Sequence, residues 1–439
     1  MSTYKSYRPS GVEWIGEIPE HWITLSFTKI IKIRHGYQFR EYDFTDSGIK
    51  IIKITQLDRD GFLNLENCSF IDSNRIDEFE RILIYQDDIL MCLTGGTIGK
   101  IIKVGEVNES LIQNYRVGHF SPLNNKILND YIFWFMTSSL TTSQMFSEIR
   151  ETGQPNIGME DFGKMKVILP PISEQEQIVT YLDEKTTIID KLISTKQRKV
   201  ELLKEQRTTL INQVITNGLN PNVKMKDSGV EWIGEIPENW IVSKLKYDTT
   251  KPVQYGLNIS GDNYKEEGIR FIRITDISEN GELIEENGKY LEKINVPDEF
   301  LLNKFDVLFC RSGHTVGKSY LHLLEGEYTT GGYLVRFNFD NYSNSKFIFY
   351  LSKTNFYWDW IKLNSVVSTI ENVNGDKYQN FIYPKPTNGE QEQIVEYLDK
   401  QTKEIDDLVY MEQNKIELLK EYRQSLISEV ITGKIKVVE

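Results

Sequence analysis

Two long heptad stretches constrain this 439-residue chain more than any other feature. The first runs from about Glu174 to Asn217 and the second from about Glu390 to Thr432, and each opens with Glu-Gln-Glu-Gln-Ile-Val. Residues then recur at two seven-residue spacings, the seam pattern of a coiled coil. In the first copy one seam is Val179, Thr186, Ile193, Val200, Arg207 and Val214, and the other is Leu182, Ile189, Lys196, Leu203 and Leu210. The second copy keeps that register with Val395, Thr402, Val409, Ile416, Arg423 and Val430, and with Leu398, Ile405, Glu412, Leu419 and Leu426. Even the irregularities repeat, a threonine early and an arginine late. Matched position by position, the two helices are most simply read as partners.

A helix of about 44 residues is about 65 Å long. The first ends at Gly218, a C′ glycine stop with Pro221 close behind. A second globular segment restarts by Ser228, so the linker spans at most about 35 Å. The shortest path then starts the second helix where the first ended, which predicts an antiparallel pair with a globular unit at each end. Lys196 and Glu412, unlike charges replacing apolar seam residues, are expected close together near the middle. The bland alternative makes each a solvated defect. Arg207 and Arg423 are expected either to pair within the rod or to receive a partner.

Residues Ser10–Trp22 read SGVEWIGEIPEHW and Ser228–Trp240 read SGVEWIGEIPENW, identical at twelve of thirteen positions. The chain is therefore two half-molecules in tandem, with a period of about 218 residues, too long for a solenoid. Each half carries a strand-like run, Gly48–Leu57 or Gly268–Ile277, then a second strand leading into a glycine loop, Asp88–Lys100 or Asp306–Lys318. Helix-like apolar segments follow at Ile127–Met136 and Phe347–Leu351, with Phe356, Trp358 and Trp360 beyond the latter. Polar loops at Thr152–Asn156 and Ser368–Asn374 lead back to the long helices. The predicted fold class is α+β: two pseudo-symmetric mixed α/β domains separated by an antiparallel two-helix coiled coil.

Catalytic and metal-binding patterns are missing from the sequence. The loops Gly95–Lys100 and Gly313–Ser319 are one residue short of a phosphate loop, and Ile101 replaces its hydroxyl in the first copy; a tight turn is the better reading. Pro170–Pro171 lacks the asparagine and the aromatic of an amino-methyltransferase motif. Cys68, Cys92 and Cys310 are too scattered for a disulfide framework or thiolate metal site, which suits a reducing cytoplasm, and the five histidines form no ligand spacing. No apolar run approaches the length of a membrane span, and the N-terminus lacks a signal-peptide pattern. No catalytic residue, cofactor site or metal site is therefore expected.

Binding remains. The front strands carry Lys50 and Lys53 in one half and Arg270 and Arg273 in the other, pairs that share a face only across a bulge. Arg34, Arg40, Arg116, Arg311 and Arg336 are assigned to loops, with Gln38, Gln154, Asn156, Asn258 and Asn372; Tyr37 and Tyr255 interleave, and Lys100 and Lys318 close the glycine loops. Arginine matches guanine edges, and asparagine or glutamine matches adenine edges. Any one of these, alone, is more often a solvated strand face or turn residue. The module interiors differ in polar content far more than the end motifs and rods do. That suggests two unlike ligands, or two words of one ligand, against the alternative of drift after duplication. The net charge of −13 is the wrong sign for a chain that wraps nucleic acid unaided.

The paired SGVEWIGEIP motifs, the two glycine-loop modules and the rod words Glu174–Ile178, Tyr181–Asp183 and Ile189–Asp190, repeated at Glu390–Ile394, Tyr397–Asp399 and Ile405–Asp406, resemble the specificity subunit of type I restriction–modification systems. The resemblance spans nearly the whole chain. It implies target-recognition domains at residues 1–168 and, with the linker, 219–386. It implies long spacer helices at 169–218 and, with the C-terminal tail, 387–439. Each domain would read one half of a split double-stranded DNA site, and the rods would hold the half-sites apart. Inserting whole turns into the rods should then lengthen the unread spacer. Two methylation subunits would dock and transfer methyl groups to adenine, and restriction subunits would join in the full complex. This chain itself would catalyse nothing and need no cofactor. A coiled-coil scaffold presenting two protein-binding modules is the runner-up; a stand-alone enzyme with a cryptic site comes third.

Overall fold

In a computed structural model describing residues 3–12, 15–58, 63–148, 155–365 and 372–437, both heptad stretches are continuous helices, Ile172–Asn217 and Asn388–Ile431. The chain divides into two compact units, residues 1–197 with 414–439 and residues 198–413. Each unit therefore contains one mixed α/β domain and a stretch of both long helices.

In the first unit, strand Ile49–Ile52 pairs parallel to Leu111–Gln113 and antiparallel to Ser69–Ile71, and Leu83–Ile84 completes that sheet. A second sheet orders Ile31–His35, Val117–Pro122, Ile89–Cys92 and Ile101–Lys103, all antiparallel. The second unit repeats the plan. Ile269–Ile272 runs parallel to Tyr328–Thr330 and antiparallel to Lys289–Leu291, beside a sheet of Gln254–Tyr255, Leu334–Phe337, Val307–Cys310 and Ser319–Leu321. The extended run expected over Gly48–Leu57 is shorter than its sequence pattern. The strand stops at Ile52 and a 3-10 turn takes Ile54–Gln56, because the Gln56 side chain accepts from the Lys53 amide and bends the chain. Asp276 does the same for Arg273. No bulge is involved: the second basic residue of each pair lies past the strand end. The glycine loops are tight 3-10 turns, Gly95–Thr97 and Gly313–Thr315. The apolar segments form helices Asn129–Thr137, Tyr342–Leu351 and Asn355–Asn364.

A short antiparallel pair closes each domain where the chain enters its long helix: Lys166–Leu169 on Ile23–Ser26, and Ile241–Lys244 on Ile382–Lys385. The repeated rod words are the joints at this point. Buried Gln175 accepts from the Leu128 amide at 2.9 Å and donates to the carbonyls of Lys126 and Pro170, and Gln391 is likewise buried. Asp183 accepts from Trp134 Nε1 at 2.9 Å; Asp399 accepts from the Tyr342 and Tyr350 hydroxyls at 2.7 and 2.6 Å. Those carboxylates fasten each domain to its helix.

The seams are apolar and paired within each unit. In the first, Ile178, Val179, Leu182 and Ile189 share one core with Leu426, Ile427, Val430 and Ile431, and Ile193 and Leu419 pack against it. In the second, Ile211, Val214 and Ile215 share a core with Ile394, Val395 and Leu398, with Leu210 against it. Val200, Ile405 and Ile416 are buried, and Leu203, Val409 and Lys196 are half-buried. Lys199–Glu412 and Arg207–Asp406 in the second unit show that the helices run in opposite directions there. Thr186 and Thr402, buried at matching seam positions, return their hydroxyls to the carbonyls of Leu182 and Leu398 at 2.6 and 2.7 Å. An interior threonine is tolerated because its hydroxyl is satisfied within its own helix.

The tandem IGEIPE(H/N)W motif clasps the helix ends. In the first unit Trp22 Nε1 and the Tyr4 hydroxyl both donate to Glu174, and the Tyr7 hydroxyl donates to the carbonyl of Gly433. In the second, Asn239 donates to Glu390, and Trp240 and Pro237 lie against Gly218. Gly218 has a φ of +75°, the left-handed stop expected from its place after the helix.

Candidate nucleic-acid interface

Strands of the two sheets end at one cluster of loops in each domain. In the first, the Tyr37 amide donates to the carbonyl of Gln113, and Tyr37 bridges to Asn114. The Leu93 amide donates to the carbonyl of Arg116, and the Ile157 amide to that of Leu93. Thr94 bridges to Asn156. Four segments distant in sequence therefore meet, bringing Tyr37, Arg116 and Asn156 together. The second domain is tied in the same way: Leu257 bridges to Gly331 and Ser312 to Asn372, the Arg311 amide donates to the carbonyl of Tyr333, and that of Val373 to Arg311. The approach is so close that a Cβ on Gly36 would lie 2.0 Å from the Gln113 oxygen, and one on Gly256 2.3 Å from that of Thr330.

Side chains at these clusters differ between the copies. In the first, the Arg116 guanidinium lies over the Tyr115 ring and its Nε donates to the Tyr115 hydroxyl at 2.7 Å. The rings of Tyr37, Phe39 and Phe79 pack mutually at 5.0–5.3 Å, leaving Tyr37 44% exposed. Gln38 and Arg40 follow, both exposed. In the second, Arg311 lies between Tyr255 and Tyr333, 5.1 and 5.8 Å from their centroids, with its Nε donating to the carbonyl of Gly332. The Tyr255 hydroxyl accepts from the Gly375 amide. Beside them a recess of about 610 Å³ is lined by Leu257, Asn258, Ile259, Tyr264, Arg273 and Tyr333 among others. Tyrosine faces, amide groups and guanidinium ions held by backbone bonds are the chemistry that stacks on and hydrogen-bonds to nucleobases.

Other candidates lie elsewhere. Gln154 falls outside the described residues. Lys53 donates to Ser69 at 2.6 Å and sits over the Phe44 ring. Lys100 donates to the carbonyl of Leu57, and Lys318 pairs with Glu279, each at 2.6 Å. Arg273 is held by Asp276 at 2.6 Å while still lining the recess. The loop placement of Arg34 and Arg336 is corrected: both stand in strands. Arg34 donates to Gln113 and to the carbonyl of Leu83, and burial lowers its pKa against the opposing pull of Asp88. Arg336 is only 4% exposed and pairs with Asp306 at 2.6 Å, so its charge serves the core of the second domain. Arg270 is likewise buried on Asp276 at 3.0 Å, whereas Lys50 pairs with Glu109. Periodicity alone places an arginine on a strand; it does not reveal a carboxylate waiting inside.

Tyr115, Tyr333 and Asn114 are missed by sequence reasoning. The signal was present, since each stands in the run just before a strand whose neighbour ends at a glycine loop. Burial pushes the Cys310 thiol up to about 12 and raises that of Cys92, so neither is an activated nucleophile. Among the described residues no group of three or more His, Cys, Asp or Glu side chains could hold a metal ion, and no helix is long and apolar enough to cross a membrane.

The family described as the type I restriction modification DNA specificity domain matches residues 19–202 and again 238–418. The MjaVIII specificity subunit of Methanocaldococcus jannaschii is 25% identical over 373 residues, covering 82% of this chain and 81% of that protein. The MjaX specificity subunit of the same organism, described as a type I restriction enzyme component, is 23% identical over 431 residues, covering 96% of each. Among solved structures, a chain from a study of complex assembly and conformational transition of a type I R-M system superposes with a TM-score of 0.71 at 16% identity, covering 95% of this chain and 99% of that one. The HsdS subunit of Thermoanaerobacter tengcongensis gives a TM-score of 0.50 at 17% identity, covering 95% and 98%.

Proposed function

Since this chain belongs to the type I restriction–modification DNA specificity family, we propose that its two loop clusters read the two words of a split DNA site while methylation subunits carry out the chemistry. The chain is a specificity subunit: it determines the DNA target and is not itself the enzyme. In this reading residues 1–168 and 219–386 are the target-recognition domains, and 169–218 and 387–439 provide the spacer helices and tail. The observation that carries the assignment is the pair of clusters itself. One backbone scaffold presents Tyr37, Arg116 and Asn156 in one copy and Tyr255, Asn258, Arg311 and Asn372 in the other.

Each cluster would enter a major groove, with base contacts specifying and lysine or arginine contacts to phosphate positioning. The target adenine must leave the stack to be methylated, which is the task of a neighbouring methylation subunit. The net charge of −13 supports this division of labour, because the partner subunits would supply most of the phosphate-binding surface. Restriction subunits would join the same assembly, and its place is the cytoplasm, where DNA is exposed to it.

Mapping methylated adenines in a genome after co-expressing this chain with its methylation subunit tests the proposal. A single bipartite sequence with a fixed unread spacer is the expected result. Methylation unaffected by the chain would instead favour a scaffold presenting two protein-binding modules.

A further inference from the structure

Just before each glycine loop an amide donates to a carbonyl on the neighbouring strand: Leu93 to Arg116 in the first domain and Arg311 to Tyr333 in the second, both at 3.0 Å. The two bonds are one feature of the repeated sheet, since the flanking residues pair as Cys92 with Val117 and as Cys310 with Leu334. Each copy thus carries an arginine at this bond, on the acceptor side in the first domain and on the donor side in the second. Both arginines are half-buried. Every other described arginine that is buried or half-buried meets a carboxylate within 3.9 Å. Arg116 and Arg311 meet none among the described residues. Arg116 Nε donates to the Tyr115 hydroxyl at 2.7 Å and Arg311 Nε to the carbonyl of Gly332 at 2.9 Å, and each guanidinium lies over a tyrosine ring. Their Nη1 and Nη2 groups have no acceptor among the described residues. A guanidinium drawn partly out of water without a counter-charge is costly, and one hydrogen bond with a cation–π contact offsets only part of that cost.

We propose that each word of the DNA site holds a guanine whose major-groove edge is bound by these free Nη pairs, through Arg116 in the first domain and Arg311 in the second. The proposal rests on the reading of the two clusters as base readers and names one base for each. With Nε engaged and a tyrosine ring against its face, each guanidinium is held in one plane and directs two N–H donors along its remaining edge. Arginine has no acceptor to offer. In the major groove guanine alone shows two acceptors, N7 and O6. Adenine and cytosine bring an amino donor toward the cation, and thymine shows one acceptor beside a methyl group. Asn156 and Asn372, bridged to the residue after Leu93 and after Arg311, add at each arginine the residue type that pairs with an adenine edge, so the clusters suit base edges. The arginine stands on adjacent strands in the two copies, which suits two unlike words.

The test uses the full chain with its cognate methylation subunit, once methylated adenines have been mapped. Guanines of each word are replaced one at a time by 7-deazaguanine, which keeps base pairing and removes N7. With the unaltered chain, one replacement in each word should lower kcat/KM for methylation roughly tenfold. Arg311→Ala should lower the rate on unmodified DNA to a similar extent and abolish the response to 7-deazaguanine in the word of the second domain. The response in the other word should persist, which reports an intact chain. Arg116→Ala should do the reverse. An unaltered chain indifferent to every 7-deazaguanine overturns the proposal, as does a word with no guanine on either strand. Losses from Arg→Ala and from 7-deazaguanine that multiply independently mark a phosphate contact and overturn it too. In each of those cases the specificity-subunit reading stands, whereas a methylation map with no split site overturns both.

Discussion

Arg423 grips Asp190 with Nε and Nη2, at 2.8 and 3.1 Å from the two carboxylate oxygens. Arg207 meets Asp406 at the matching position of the second unit, with Nε 2.9 Å from Oδ1. Late-seam arginines that interrupt an apolar heptad are thus answered by the aspartates of the Ile-Asp words. Each pair fixes one register of two helices whose apolar seams would tolerate several.

The aspartates are half exposed, so each pair should contribute little to stability and more to register. Alanine double-mutant cycles on Arg423 and Asp190 are expected to give a coupling of about 0.5 kcal/mol. Arg423→Glu should lower the denaturation midpoint, and adding Asp190→Arg should restore it. A coupling above about 2 kcal/mol would mean that the pair behaves as a buried one.

Seam burial should dominate instead. Leu398 is fully buried between the long helix and the second domain, so Leu398→Ala should cost about 2–5 kcal/mol in urea unfolding. Glu412 is buried at a seam position with Lys199 at 3.1 Å, the lysine itself being largely solvated. Glu412→Leu should therefore hold or raise the thermal midpoint, since Lys199 stays hydrated once the carboxylate is gone.

Base reading should separate by domain. Arg311→Ala should weaken recognition of one word by about 1–3 kcal/mol and leave the other unchanged. Arg116→Ala should do the reverse. Methylation rates on substrates altered in one word at a time distinguish these outcomes, and equal losses on both words would contradict separate readers.

The second domain should be acid-sensitive through His322. It is 1% exposed, beside the Tyr320 hydroxyl, and burial with Arg336 nearby lowers its pKa from 6.5 to about 4. The unfolded chain therefore takes up this proton more readily than the folded one. Stability is complete above about pH 6.5 and falls as the pH drops toward 4. His322→Phe should flatten the unfolding midpoint of the second domain across that window, whereas an unchanged pH profile would show that another group controls it.

Heptad spacing, the repeated motif and the alternating strands determined the two-fold plan, because periodic apolar burial is local information that the chain carries residue by residue. The same reading placed Tyr37, Tyr255, Arg311 and the asparagines among the candidates. It could not separate Arg311, which lies between two tyrosines at a loop cluster, from Arg336, which is sealed on Asp306. Both are arginines near the end of a strand, and only the packing of residues remote in sequence decides which charge is neutralised inside and which faces outward. The clasps divide in the same way. The tandem tryptophan motifs were plain in the sequence, but that Tyr4 and Trp22 both donate to Glu174 while Asn239 donates to Glu390 depends on which segment the folded chain brings to each glutamate.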